Sequence, residues 1–237
     1  YRLWEIEDAL SYYNAALDYS YPAVRERVFS MIREVVEGYD VDGVELDMVR
    51  NEYFFPPSEA WEKRGILTGF VRKVRGTLDE VARERGKDLS LLVRTPFSEE
   101  ALKKGGMDVW EWVERQDIDI LVMTARANDY NVRVEPYLSM CHDNDVLFYG
   151  CSECVPALNS ADYPTRAKAP HNWVVKATDE EDILWQRAMA KHFLEQGVDG
   201  VYMFNYPCVL FEGETMMFDD RERFDRLAAV LGQMGDT

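Results

Sequence analysis

Tyr39-Asp40-Val41-Asp42-Gly43-Val44-Glu45-Leu46-Asp47-Met48-Val49-Arg50 sets the end of a helix, a turn and a strand side by side. The helical pattern ends near Gly38, an Asp-Gly turn follows, and a short apolar run then carries two acids. Read as a strand over 43–48, the run puts Glu45 and Asp47 on one face, about 6–7 Å apart along it. Carboxylates on a face that should be core cost on the order of a few kcal/mol each unless paired or wet. Two of them at the C-terminal end of a strand, with Arg50 just beyond, point to a site rather than to packing.

Upstream, Asn14–Tyr19 reads as a strand ending at Asp18, while residues 1–13 show no clear period. Pro22 falls in the first turn of a helix, where its missing N–H costs nothing. Val24, Val28, Met31, Ile32 and Val35 then recur at helical spacing. Downstream, the aromatic loop Tyr53-Phe54-Phe55-Pro56-Pro57 precedes a long helical stretch over 58–85, closed by Gly86. Leu89–Thr95 is a strand with Arg94 near its end. Residues 108–114 read as a helix, and Asp119–Ala125 as an apolar strand stopping just before Arg126. A short helix over 131–143 leads to the strand Val146–Cys151, followed by Ser152-Glu153. Residues 152–177 lack periodicity and contain Pro156, Pro164 and Pro170; loops this long inside a compact domain are functional or disordered. Thr178-Asp179-Glu180-Glu181 is a capping box for a helix closed by Gly197. Gly200–Asn205 is the last strand, and an amphipathic helix covers roughly 219–233.

The opening segment has an echo: Gly38-Tyr39-Asp40-Val41-Asp42-Gly43-Val44 resembles Glu195-Gln196-Gly197-Val198-Asp199-Gly200-Val201, with a looser copy at Gln116-Asp117-Ile118-Asp119-Ile120. Mostly apolar strands alternating with helices mean a parallel sheet joined by crossovers. The fold class expected is α/β, a (β/α)8 TIM-type barrel with about six βα units in view. Residues 1–237 are then a single catalytic barrel domain, the C-terminal three quarters of a barrel, with about two N-terminal units missing before Tyr1. The competing architecture is an open α/β sheet, but the chain has no Gly-rich phosphate loop to support a nucleotide fold.

With 237 residues, 47% of them hydrophobic, the chain is large enough to bury a full core. Its net charge of −17 speaks against nucleic acid or an anionic membrane surface as partner. No apolar run approaches the roughly 20 residues of a membrane span. The start at Tyr1, without methionine or signal peptide, reads as trimmed and leaves the compartment open. Four cysteines (Cys141, Cys151, Cys154, Cys208) are too few for a disulfide scaffold. Cys151-x-x-Cys154 has metal-like spacing but no second CxxC and no HxxxH, so the thiols are read as ordinary and neither metal nor cofactor is expected. His142 and His192 fall in helical stretches, and only His171 lies in the long loop.

In barrels of this kind the C-terminal strand ends carry the site. Here those ends offer Asp18, Glu45 with Asp47, Arg94, Arg126, Glu153, and Asn205 with Tyr206, all polar. Paired carboxylates across a cleft are what glycosidic cleavage requires: one protonates the leaving oxygen, the other attacks the sugar or activates water. Asp47 as nucleophile or base and Glu153 as proton donor are the expected pair, with Glu45 in reserve. Arg94 and Arg126 can hold a carboxylate ionised or bind an anionic sugar. Asp18 and Arg50 complete the polar subsites, and Tyr53, Phe54, Phe55 and Trp173 are candidates for stacking on a carbohydrate. Two other readings remain open: a carbohydrate-binding barrel without catalysis, and a lyase or isomerase barrel in which Glu45, Asp47 and Glu153 ligate Mg²⁺. A homo-oligomer or an N-terminal segment would complete the barrel.

Leu17-Asp18-Tyr19-Ser20-Tyr21-Pro22-Ala23-Val24-Arg25 followed by Val41–Arg50 resembles the glycosyl-hydrolase-like (β/α)8 barrels related to family 10-like glycoside hydrolases. It is also similar to the third and fourth strands of the alpha-amylase family. The likeness covers residues 14–55, and the later strands by order and spacing. It implies a glycoside hydrolase acting on an oligo- or polysaccharide, with Asp47 at the position of the amylase nucleophile. The chain departs from the amylase pattern twice. Glu45 stands where that family has an arginine, and the strand that should end on the acid/base glutamate ends at Arg94.

Overall fold

The computed structural model describes residues 3–4, 16–49, 52–124, 132–153 and 179–204, with short pieces between 211 and 232. In chain order the elements begin with β1 (Leu3–Trp4), β2 (Ala16–Leu17), α1 (Pro22–Gly38), β3 (Gly43–Asp47) and α2 (Arg64–Arg85). They continue with β4 (Ser90–Pro96), α3 (Glu99–Gly105), α4 (Val109–Glu114), β5 (Ile120–Thr124), α5 (Tyr137–Asp143) and β6 (Leu147–Glu153). The last are α6 (Asp179–Glu195), β7 (Gly200–Phe204), β8 (Phe211–Glu212) and β9 (Thr215–Met216). The described strands β3-β4-β5-β6-β7 form, in that order, a five-stranded parallel sheet, the architecture of part of a (β/α)8 barrel. The chain divides into two compact units, residues 1–123 with 136–148, and 124–135 with 149–237.

The strand expected over Asn14–Tyr19 is not a member of the parallel sheet. Among its described residues Ala16 and Leu17 are extended, and they pair antiparallel with Trp4 and Leu3. Ala16 is buried and Leu17 is 41% exposed, the one-sided pattern of a short antiparallel strand rather than the two-sided burial of a parallel one.

In the first unit, α2 carries the core stripe. Leu67, Phe70, Val71, Val74, Leu78 and Val81 are all buried at helical spacing. The helix expected from residue 58 begins at Arg64, because Pro56 and the hydrogen-bonded turns over 57–63 occupy the chain before it. Asp108 caps α4 by accepting the Glu111 N–H at 3.2 Å. The buried Trp112 of that helix donates its indole N–H to Thr68 at 2.9 Å. Ser98 caps α3, a helix whose seven residues were too few to register as a period in the sequence. At Gly106 (φ +71°) a Cβ would lie 2.6 Å from the Ala60 carbonyl and 3.1 Å from the Phe55 ring, so only glycine ends α3 there.

Strand β3 lies parallel to β4 in the register Gly43↔Ser90 through Asp47↔Arg94. The glycine of the Asp-Gly turn is where the two strands come closest. A Cβ on Gly43 would sit 2.2 Å from the Ser90 carbonyl oxygen.

In the second unit, β6 and β7 are parallel with Tyr149↔Gly200 through Glu153↔Phe204 in register. Gly150 lets Phe193 of α6 press onto the strand, its ring 2.4 Å from where a Cβ would stand. Ser152 donates its hydroxyl to the buried Gln186 at 2.8 Å. His192 and Gln196 both reach the Val132 carbonyl, at 3.1 and 3.0 Å, which makes His192 a structural residue. Cys141 and Cys151 are buried, and the remaining two cysteines lie outside the described residues.

Candidate active site

The C-terminal end of β3 meets the C-terminal half of β4 in one ion pair. Arg94 points from the strand interior with 1% of its side chain exposed, and its Nη1 donates to Asp47 Oδ1 at 3.0 Å. The same Oδ1 accepts the Val49 N–H at 3.0 Å, and the Met48 N–H donates to the Arg94 carbonyl at 2.9 Å. A buried guanidinium without a counter-charge would be strongly destabilising, so Asp47 compensates it at the position where the chain leaves the sheet. The Asp47 side chain keeps 29% of its surface, and both of its hydrogen bonds among the described residues fall on Oδ1. Glu45 lies two residues earlier on the same face, exposed and in register with Leu92.

Asp18 is buried. Its Oδ1 accepts the Ser20 N–H at 2.8 Å and its carbonyl accepts the Tyr21 N–H, so it shapes the turn that leads into α1. That turn is fastened to the aromatic loop after β3. The Tyr19 N–H donates to the Phe54 carbonyl at 2.8 Å, and the Tyr19 ring stands edge-on to Phe54 and Phe70, with centroids 5.0 and 5.7 Å apart. Burial raises the Tyr19 hydroxyl above its ordinary pKa.

The aromatic loop corrects one expectation. Phe55 is fully buried beneath Gly106 and Phe54 packs on Tyr19, so these two rings serve the core instead of offering a stacking surface. Tyr53 is half-buried. The backbone of Glu153 ends β6 opposite Phe204, in the second unit; its side chain lies outside the described residues. Arg50, Arg126, Trp173, Asn205 and Tyr206 also lie outside them. Among the described residues no group of three His, Cys, Asp or Glu side chains is arranged to hold a metal, and no helix is long and apolar enough to cross a membrane.

No family model matches the chain and no curated protein does. Among solved structures, an N-acetylglucosaminidase of glycoside hydrolase family 18 from Paenibacillus barengoltzii superposes with a TM-score of 0.55 at 17% identity, over 91% of this chain and 77% of that one. At that identity the likeness is one of fold, a parallel βα sheet of the TIM-barrel type. In (β/α)8 barrels active sites sit at the C-terminal ends of the strands, and Asp47 and Arg94 lie toward those ends of β3 and β4. Sequence reading passed over the Val49 N–H, a backbone group with no signature of its own, and also Trp61, which no periodicity marks.

Proposed function

We propose that this chain is a glycoside hydrolase that cleaves an oligo- or polysaccharide through two carboxylates. Asp47 is the nucleophile or base and Glu153 the proton donor, with Glu45 next in line for that second role. The observation that carries this reading is the setting of Asp47 in a glycoside-hydrolase-like fold. It is a strand-end carboxylate with Oδ1 fixed by Arg94 and Val49, leaving Oδ2 to face a sugar. A carboxylate held by one oxygen is oriented before substrate arrives, and orientation of that kind is where much of an enzyme's rate comes from. Tyr53, Arg50, Arg126, Trp173, Asn205 and Tyr206 are assigned to substrate binding, and Asp18 to the turn that leads into α1.

The test is release of product from a panel of fluorogenic aryl glycosides and neutral oligosaccharides. Asp47→Asn keeps an oxygen for Arg94 and Val49 and is expected to abolish turnover with the circular dichroism spectrum intact. Full activity in that variant overturns the assignment. Glu153→Gln is expected to lose turnover of substrates with poor leaving groups far more than of activated aryl glycosides.

A second reading has its own support. Since Asp47 already neutralises a buried arginine, a barrel that binds carbohydrate without cleaving it would retain the same pair. Oligosaccharide binding by the wild type with no product after long incubation would favour it.

A further inference from the structure

A second cleft, of about 420 Å3, is lined by Pro57, Trp61, Glu99, Glu100, Lys103 and Lys104. Its walls come from the connection after β3 and from α3, which follows β4. Because those two strands are parallel, both connections leave from the sheet edge at which Asp47 and Arg94 stand. The cleft is therefore on the same rim as the candidate site, within the same compact unit.

Trp61 is its apolar wall and is 37% exposed. Its orientation is fixed from one side. Arg64 places its guanidinium carbon 4.8 Å from the ring centroid while donating to the Trp61 carbonyl at 2.9 Å and to Asp108 at 3.1 Å. Lys103, which does line the cleft, places its Nζ 5.9 Å from the same ring centroid, so the indole borders an ammonium group on the cleft side. The rest of the lining is polar but balanced. Lys103 pairs with Glu99 and Lys104 with Glu100, each at 2.7 Å, and both carboxyls are held below their ordinary pKa by the lysine they bond. Two ammonium and two carboxylate groups leave no net charge to attract an ion, yet they offer donors and acceptors at close spacing.

A held aromatic face beside balanced donors and acceptors suits a ligand with an apolar ring face and a rim of hydroxyls. We infer that this cleft is a subsite for a neutral sugar residue, seated on Trp61 and hydrogen-bonded by the Glu99–Lys103 and Glu100–Lys104 pairs, which holds a part of the glycan chain away from the Asp47 carboxylate. The inference rests on the glycoside hydrolase reading for its substrate class.

The full chain, with its Trp61→Ala and Trp61→Tyr variants, is titrated calorimetrically with chitohexaose, cellohexaose, maltohexaose and xylohexaose, and product is followed separately by chromatography. At least one hexasaccharide is expected to bind the wild type, with affinity falling about tenfold or more in Trp61→Ala, in line with truncation of a tryptophan anchor, and largely restored in Trp61→Tyr. Failure of all four sugars to bind, unchanged affinity in Trp61→Ala, or a tyrosine variant as weak as the alanine one each overturns the subsite. The two readings separate cleanly. Binding that depends on Trp61 with no product removes catalysis and keeps the subsite, whereas product formation with Trp61-independent binding does the reverse. An equal melting temperature in the three proteins shows that the comparison reads binding and not folding.

Discussion

Aspartate–arginine pairs stand at the two ends of β4, and they are built differently. At the C-terminal end, Arg94 comes from inside a strand and meets an Asp47 that leaves one oxygen outward. At the N-terminal end, Arg75 comes from α2 and bonds to Asp119 at 2.6 Å, Asp79 at 2.7 Å and the Leu89 carbonyl at 2.9 Å, with its buried Nε left without a partner among the described residues. Asp119 in turn spends its Oδ2 on the Leu91 N–H at 2.6 Å. Nearby, Arg72 grips Asp117 with both Nε and Nη2, and Lys87 bridges to Asp40 and Asp42. The lower pairs tie helices and connections to strand starts, while the upper pair holds a carboxylate in place without saturating it. The same residue types thus divide between tying helices to strand starts and, on the proposed reading, presenting a carboxylate at the strand ends.

Removing Asp47 is expected to do most harm. Asp47→Ala takes the Asp47 carboxylate away from a buried arginine and should cost about 3–5 kcal/mol by chemical denaturation, in addition to all turnover. The double variant Asp47→Leu/Arg94→Met should recover most of that stability and none of the activity. Recovery of activity would show the upper pair to be structural like the lower ones. Arg75→Ala should cost roughly 1–2 kcal/mol, since its partners are half-exposed, and leave kcat unchanged. A large drop in kcat per folded molecule would break the division between the two ends.

Tyr19 gives a smaller, alkaline effect. Its folded pKa is raised above the ordinary 10.0, so its contribution is intact below pH 10 and fades as pH rises through the raised value. Tyr19→Phe should therefore lose stability less steeply than the wild type above pH 10 in thermal melts. The weakest effect is expected at Lys87. Its pairing lowers the Asp40 pKa below 3.8 and raises its own above 10.5. The Asp40 share is lost as pH falls through the lowered value, and the Lys87 share as pH rises through the raised one. Lys87→Ala should differ slightly from wild type between those limits and not at all in 1 M salt.

The parallel βα order was legible because it rests on periodicity and on the repeated Asp-Gly turn, both local signals. So was the place of Asp47 at the end of β3, since acids in an apolar strand stand out. The strand at Ala16–Leu17 was misjudged because its partner, Leu3–Trp4, is a two-residue segment without a pattern. Phe54 and Phe55 were misjudged for a similar reason: an aromatic loop looks the same in sequence whether Gly106 and Tyr19 cover it or water does. The start of α2 fell six residues late because turns over 57–63 mimic a helical period. Which arginine answers Asp47 depends on strand register, and register is a property of two strands that neither sequence carries alone.

Gly43 has a meaning for anyone wishing to alter this protein. It lies four residues below Asp47, at the point where β3 rests against the Ser90 carbonyl. A methyl group there would wedge the strands apart at their base and turn Asp47 away from Arg94 without touching either. Libraries that vary Glu45 and Asp47 explore reactivity on a constant frame, whereas a single change at Gly43 moves the frame itself. Directed evolution would therefore do well to hold that position fixed and search above it.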